Sequence, residues 1–574
     1  MMDQPLKDWN LPNSKQIISS PENLIQMLQA SSADNRWKIY SLLQIFHCVG
    51  KRTRIKKDKQ SQIKRHPFIH HWPKILPNTF ILIKTIHSIW EPKFREKLEQ
   101  SQMCWIQRIA PLEIRSAMGF EDHYVNIPGA HHQSVAVSSN QWKHNVNVGG
   151  PDFASLMTHL RRESYDILKI AAFQTASMQQ GHIGFLKNPL TYTPGQGGLF
   201  DWQNLNAVLV HSLFNGIDYM ELRHLRLLIS QFMNPFTLSC PLPLANPILL
   251  PLLRNFFQHT TSKLQNTWQT WKTNPDERNP WHFPVGMEPD VKLMVDERIL
   301  CDASREYVSY LREIFPAKPL KLNKNGAATK QDLSKQNSPH TYLTELGKIV
   351  MMNYEIIEQI CLTLASVIIW PDTKCLILAS QVIERILPHV SKDGNKHALL
   401  GHILKSLLTV LLNNENHGKT NQGHLVALVT STYCRISFGW IPVHEGGGGD
   451  LNIKPGVTIY SDVAREVLCI LPNVDKNVVL QLDEKLKKAA LTDRAKRTVF
   501  QSFLTDVSAS MGGKNDGSSD EDSILAKKQL NIVDLPKSSN GRVTPNGGVV
   551  TTNVFGRNDN IDGDSLLKLF GNDM

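Results

Sequence analysis

Residues 343–387 read LTELGKIVMMNYEIIEQICLTLASVIIWPDTKCLILASQVIERIL, from Leu343 to Leu387. Apolar side chains recur here at helical spacing, and the stretch predicts three successive helices, Leu343–Met352, Ile356–Ile369 and Thr373–Leu387. Two more follow at Leu399–Leu412 and Gly423–Ile436, each near three or four turns long. Five comparable helices in a row do not fit a doubly wound sheet, where strands would alternate with them. They fit an all-α array in which helix, short turn, helix is the recurring unit.

The same unit extends upstream. Between residues 201 and 257 the apolar residues Leu205, Val208, Leu209, Leu213 and Phe214 mark one helix, and Leu222, Leu225, Leu228, Ile229 and Phe232 a second that Pro235 is expected to end. Pro241 to Pro251 leads into another, with Leu249, Leu250, Leu253 and Phe256. Residues 118–197 break the rhythm with Gly, Pro, His, Ser and Asn, apart from a helix around Phe153–Ala176. Two short helices are predicted over Asn23–Val49, and a further pairing over Ile75–Ile89 with Pro73 and Pro77 at its start. The resulting division is an N-terminal extension (1–22), a first repeat block with long loops (23–317), a polar disordered loop (318–340), a second repeat block (341–507) and a largely disordered tail (508–574).

At 574 residues and 41% hydrophobic content the chain can bury several times the core of a minimal domain, which excludes a wholly disordered protein. The formal charge of +11 favours polyanionic partners such as RNA. The first thirty residues hold no long apolar run, so neither a secretory signal nor an N-terminal anchor is expected. The strongest apolar stretch, Ile356 to Trp370, is interrupted by Glu358 and Gln359 and is too short to span a bilayer, so no membrane partner is expected. Cysteines such as Cys48 and Cys361 sit in apolar runs and are expected as small, reduced, buried hydrophobes.

Catalytic signatures are missing. The eight cysteines form no CxxC pair, His70-His71 and His131-His132 lack companions at zinc spacing, and no Gly-x-Ser-x-Gly, HExxH, kinase or Rossmann pattern occurs. The run Gly446–Gly449 lacks the Lys-Ser/Thr ending of a phosphate loop and is expected as a loop in the array. Neither metal, cofactor nor enzymatic activity is expected. Trp268 and Trp271, three apart, are expected to pack between helices.

The specific feature is electrostatic. Lys51, Arg52, Arg54, Lys56, Lys57, Lys59, Lys64 and Arg65 place eight positive groups within fifteen residues, a density that suits phosphate contact, a nuclear-targeting signal or a solvated loop. A second set, Lys485, Lys487, Lys488, Arg494, Lys496 and Arg497, lies along a helical stretch and suits RNA-backbone contact or a solvated face. The candidate RNA-backbone residues are Lys51, Arg52, Arg54, Lys56 and Lys57 from the first set, with Lys485, Arg494, Lys496 and Arg497 from the second.

Several segments resemble the exportin-5 family of karyopherin-β nuclear export receptors. They include LPNTFILIKTIHSIWEP (Leu76–Pro92), Leu222-Arg223-His224-Leu225-Arg226 leading to Phe232-Met233-Asn234-Pro235-Phe236, and Cys240-Pro241. Leu343-Thr344-Glu345-Leu346-Gly347-Lys348, Trp370-Pro371-Asp372-Thr373 and the late stretch Leu480 to Phe503 complete the series, and the resemblance covers most of residues 35–540. It implies a HEAT-repeat superhelix of stacked antiparallel helix pairs. It also implies a receptor that exports double-stranded or hairpin RNA, such as microRNA precursors, with Ran-GTP, contacts nucleoporins, and shuttles between nucleus and cytoplasm. In such receptors the N-terminal repeats hold most of the Ran-binding surface, and this chain resembles the C-terminal half. The alternative is a HEAT-repeat interaction scaffold that has lost RNA and Ran binding. An enzyme, suggested only by Gly446–Gly449 and scattered histidines, is the third reading.

Overall fold

A computed structural model of the chain describes residues 2–28, 33–52, 71–96, 151–173, 202–214, 216–240, 242, 245–273, 289–316, 343–391, 394–413, 422–438, 462–471, 473–488 and 493–512. These residues are almost entirely helical, contain no strand, and fall into two compact units, one up to Tyr310 and one from Leu311 onward. Within each unit, helices pack as antiparallel pairs, the arrangement of a HEAT-repeat array.

In the first unit the Ala33–Arg52 helix packs along Pro151–Phe173, and Trp72–Ser88 along Trp202–Phe214. The residues set apart above as an extension are themselves folded into helices Asp3–Asn10 and Pro12–Ser19, and the first helix predicted for the repeat block follows at Pro21–Leu28. Their apolar residues Leu6, Trp9 and Ile18 are buried, and all three helices pack against Trp72–Ser88. That helix contains Pro77 in its interior rather than at its start. Proline lacks the N–H that would bond the Pro73 carbonyl one turn back. The Asp3–Asn10 helix docks on the same turn: Trp9 Nε1 donates to the Ile75 carbonyl at 3.0 Å and Asn10 Nδ2 to that of Lys74 at 3.1 Å. Asn78 Nδ2 returns a bond to the Trp9 carbonyl at 2.9 Å.

Pro235 likewise fails to end its helix. Leu222–Leu228 passes through a π-helical turn, Ile229–Met233, into Asn234–Ser239, and the Asn234 amide reaches five residues back to the Ile229 carbonyl. Widening the turn accommodates a residue that has no donor of its own. A second π-helical turn, Ala245–Leu249, opens the Leu250–Thr273 helix, whose Leu252, Leu253, Phe256 and Phe257 are fully buried.

Polar ties hold this unit in register. His87 is buried, with Nδ1 donating to the Leu213 carbonyl at 2.9 Å and Nε2 accepting from the Tyr165 hydroxyl at 2.6 Å, so one ring joins three helices. Trp268 is buried as expected, its Nε1 donating to Ser304 Oγ at 3.0 Å.

The second unit is built on the opening stretch. Tyr354–Ile369 carries Glu355, Glu358 and Gln359 in its first turns and is buried almost throughout from Ile360 to Ile368, where it lies between Thr373–Val390 and His397–Asn413. Glu345–Met352 meets it at 97°, because Asn353 is extended and caps the new helix, its Oδ1 accepting from the Ile356 amide at 3.1 Å. Asp372 caps Thr373–Val390 in the same way after Trp370-Pro371, with amide bonds at 3.3 Å from Lys374 and Cys375. Arg385 reaches from that helix to the C-terminal end of Pro289–Ile314, donating to the carbonyls of Arg312 at 3.3 Å and Phe315 at 2.5 Å. No single helix among the described residues is long and apolar enough to cross a membrane.

Cys240, Cys301, Cys361, Cys375 and Cys434 are buried and unbridged, and burial pushes the thiols of Cys240 and Cys361 up to about 12. Cys48 corrects the expectation. Phe46 is the inward position of its helix, and two residues further on the side chain emerges on the exposed face.

Candidate nucleic-acid interface

The second basic set lies on a helix hairpin, Lys476–Lys488 followed by Asp493–Gly512. Asn473 adopts a left-handed turn with φ 59°, and Asp475 Oδ1 then accepts from the Val478 amide at 2.8 Å, which starts the first helix. Val479, Leu482 and Leu486 form its buried stripe at spacings of three and four. In the second helix Phe500, Phe503, Leu504 and Val507 turn inward against Gln422–Phe438, with the Tyr433 and Phe500 rings 5.5 Å apart.

One buried carboxylate fixes the roll of the first helix. Asp483 accepts from the Tyr433 hydroxyl at 2.6 Å and from Arg465 Nε at 2.7 Å, while Arg465 Nη1 bonds Asp462 at 2.7 Å. With Asp483 turned in, Lys485, Lys487 and Lys488 are exposed. The Lys487 ammonium lies 3.6 Å from Glu484 and 5.5 Å from the centre of the Phe438 ring. Three cations in a helix's last turn also complement the negative end of its dipole.

Arg494 and Arg497 are exposed on the second helix, but Lys496 is not. It is 4% accessible, and its ammonium donates to the Leu486 carbonyl at 2.6 Å. Lys496 is therefore withdrawn from the candidates for phosphate contact and reassigned as a tie between the two helices. The sequence carried a signal for this: Lys496 precedes Phe500 by four residues and Phe503 by seven, the spacing of a single inward face. Lys487 and Lys488, left out of the candidate contacts, belong with Lys485 at the same exposed tip.

Of the first set, Lys51 and Arg52 are exposed in the last turn of Ala33–Arg52, and they belong to the other unit. Arg54, Lys56 and Lys57 lie outside the described residues, as do residues 318–340 and Gly446–Gly449. Among the described residues no three His, Cys, Asp or Glu side chains are grouped so as to hold a metal ion.

Comparison with known proteins joins these observations to a family. The model of the Exportin-5 family matches residues 2–182 and 190–438, more than half of the chain. The match therefore begins earlier than the resemblance described above and stops before the basic hairpin. Exportin-5 of Dictyostelium discoideum is 24% identical over 340 residues, which cover 55% of this chain and 26% of that protein. Protein HASTY 1 of Arabidopsis thaliana is 23% identical over 376 residues, 62% of this chain and 29% of that protein. The matched region spans less than a third of either relative's length. With its paired helices and its match over most of the first unit and much of the second, the chain belongs to the Exportin-5 family.

Proposed function

We propose that this chain serves in nuclear export of structured RNA, such as double-stranded hairpins of the microRNA-precursor kind, with Ran-GTP and nucleoporins as protein partners. It would act as the part of such a receptor that follows the Ran-binding repeats, shuttling between nucleus and cytoplasm. Family membership supports the transport role. The observation that carries the RNA reading is the exposed tip of the hairpin, where Lys485, Lys487, Lys488, Arg494 and Arg497 gather around a buried Lys496. Such a surface meets phosphates without reading bases, so it suits recognition of an A-form duplex by shape. Lys51, Arg52, Arg54, Lys56 and Lys57 are proposed as a second phosphate-contacting set.

Filter binding of unrelated duplexes over a series of salt concentrations tests this. Parent affinity should fall steeply with salt. Replacing Lys485, Arg494 and Arg497 together by Gln should weaken both duplexes alike, by about tenfold at low salt, and flatten the log–log salt slope by about two. Failure of the parent chain to bind duplex at low salt would overturn the RNA reading. An unchanged slope in a folded variant would remove the hairpin from the site.

A further inference from the structure

The basic tip has an acidic sequence close behind it. The second helix of the hairpin ends at Gly512, and residues 516–522 read Asp-Gly-Ser-Ser-Asp-Glu-Asp, four carboxylates in seven positions with no cation among them. We propose that this acidic run docks on the exposed cations of the hairpin and competes there with polyanions, an intramolecular contact that tunes binding. The proposal rests on the reading of the tip as a phosphate-contacting surface.

Reach permits the contact. Arg497 lies fifteen residues before Gly512, or about 22 Å along a helix rising 1.5 Å per residue. Asp520 lies eight residues after Gly512, and an extended chain covers roughly 28 Å in that distance. The acidic run is thus long enough to return along the helix to Arg497, and Asp522 to Arg494. A segment much closer to Gly512 would fall short.

Charge complementarity selects this occupant. Lys485, Lys487, Lys488, Arg494 and Arg497 stand exposed, with Glu484 3.6 Å from Lys487, while Asp483 is turned into the core against Tyr433 and Arg465. Tethering by a short linker sets an effective concentration of the order of millimolar, so a contact of similarly weak intrinsic affinity is about half formed. Polyanion binding then loses a small factor, adjustable by charge. Ser518, Ser519 and Ser523 lie within or beside the acidic run, and a phosphate on any of them adds nearly two negative charges to it.

Two readouts on the full chain test the proposal. In the absence of RNA, a zero-length carbodiimide should join Asp520, Glu521 or Asp522 to Lys485, Lys487 or Lys488 within monomers at low salt, with the yield falling as salt rises. In duplex binding, replacing Asp516, Asp520 and Asp522 by Asn and Glu521 by Gln should raise affinity about two- to tenfold at low salt, with the gain gone at high salt. Cross-links without any duplex binding by the parent would uphold the contact and sink the RNA reading instead. Absence of the cross-links, their appearance only between two chains, or an unchanged duplex affinity in the neutralised chain would overturn the proposal.

Discussion

Lowering the pH from 7 to 4.5 should destabilise the first unit through His87. Its ring is fully enclosed, and burial, together with the nearby Arg161 guanidinium, pushes its pKa down to about 3 from the usual 6.5, although the bond to the Leu213 carbonyl works the other way. The unfolded chain therefore takes up this proton first as pH falls. Stability from the neutral ring is complete above about pH 6.5 and is lost progressively toward pH 3. At about 1.4 kcal/mol per pH unit, two units below 6.5 remove roughly 2–3 kcal/mol, a large part of the stability of a typical domain. The assay compares the parent with His87→Gln at pH 7.0, 5.5 and 4.5, following amide exchange in the Trp72–Ser88 helix. The substituted carboxamide cannot titrate, so the variant should be less stable at pH 7 yet lose less on acidification. Carboxylates elsewhere contribute equally to both chains and cancel in the difference. Identical pH slopes for the two chains would refute the assignment.

Two further substitutions probe the hairpin. Lys496→Met should cost about 1–3 kcal/mol in urea denaturation, because it leaves the buried Leu486 carbonyl without its charged donor, while the salt slope of duplex binding should not move. Tyr433→Phe should cost a similar amount, since Asp483 keeps only Arg465 among its two side-chain donors, and the loss should shrink in Tyr433→Phe combined with Asp483→Asn.

Helices were legible wherever their causes are local. Ile356–Ile369 is strongly apolar apart from Glu358 and Gln359, and Asp372 sits just where a cap should, so both element and boundary could be read from neighbouring residues. The prolines misled because their consequences are settled at a distance. Pro77 was expected near a helix start, yet it lies inside a helix whose turn is held by Trp9 and Asn10, more than sixty residues away, and no periodicity carries that information. Pro235 was expected to stop a helix, and a π turn absorbed it. At the candidate site the charges were visible but their directions were not. Only the inward stripe through Phe500 and Phe503 separates Lys496 from Arg494 and Arg497.

That separation governs how the tip works as a surface. A buried ammonium and a buried carboxylate, Lys496 and Asp483, spend their charge on Leu486, Tyr433 and Arg465, and in doing so hold the two helices at fixed roll and register. The cations that remain outside are thereby presented together on a rigid element, which costs less ordering on binding than the same charges on an unstructured segment would. Lys496 and Asp483 thus hold the hairpin together from within, while Lys485, Arg494 and Arg497 stay exposed as the contacts proposed for a polyanion, although all five are charged residues in one stretch of sequence.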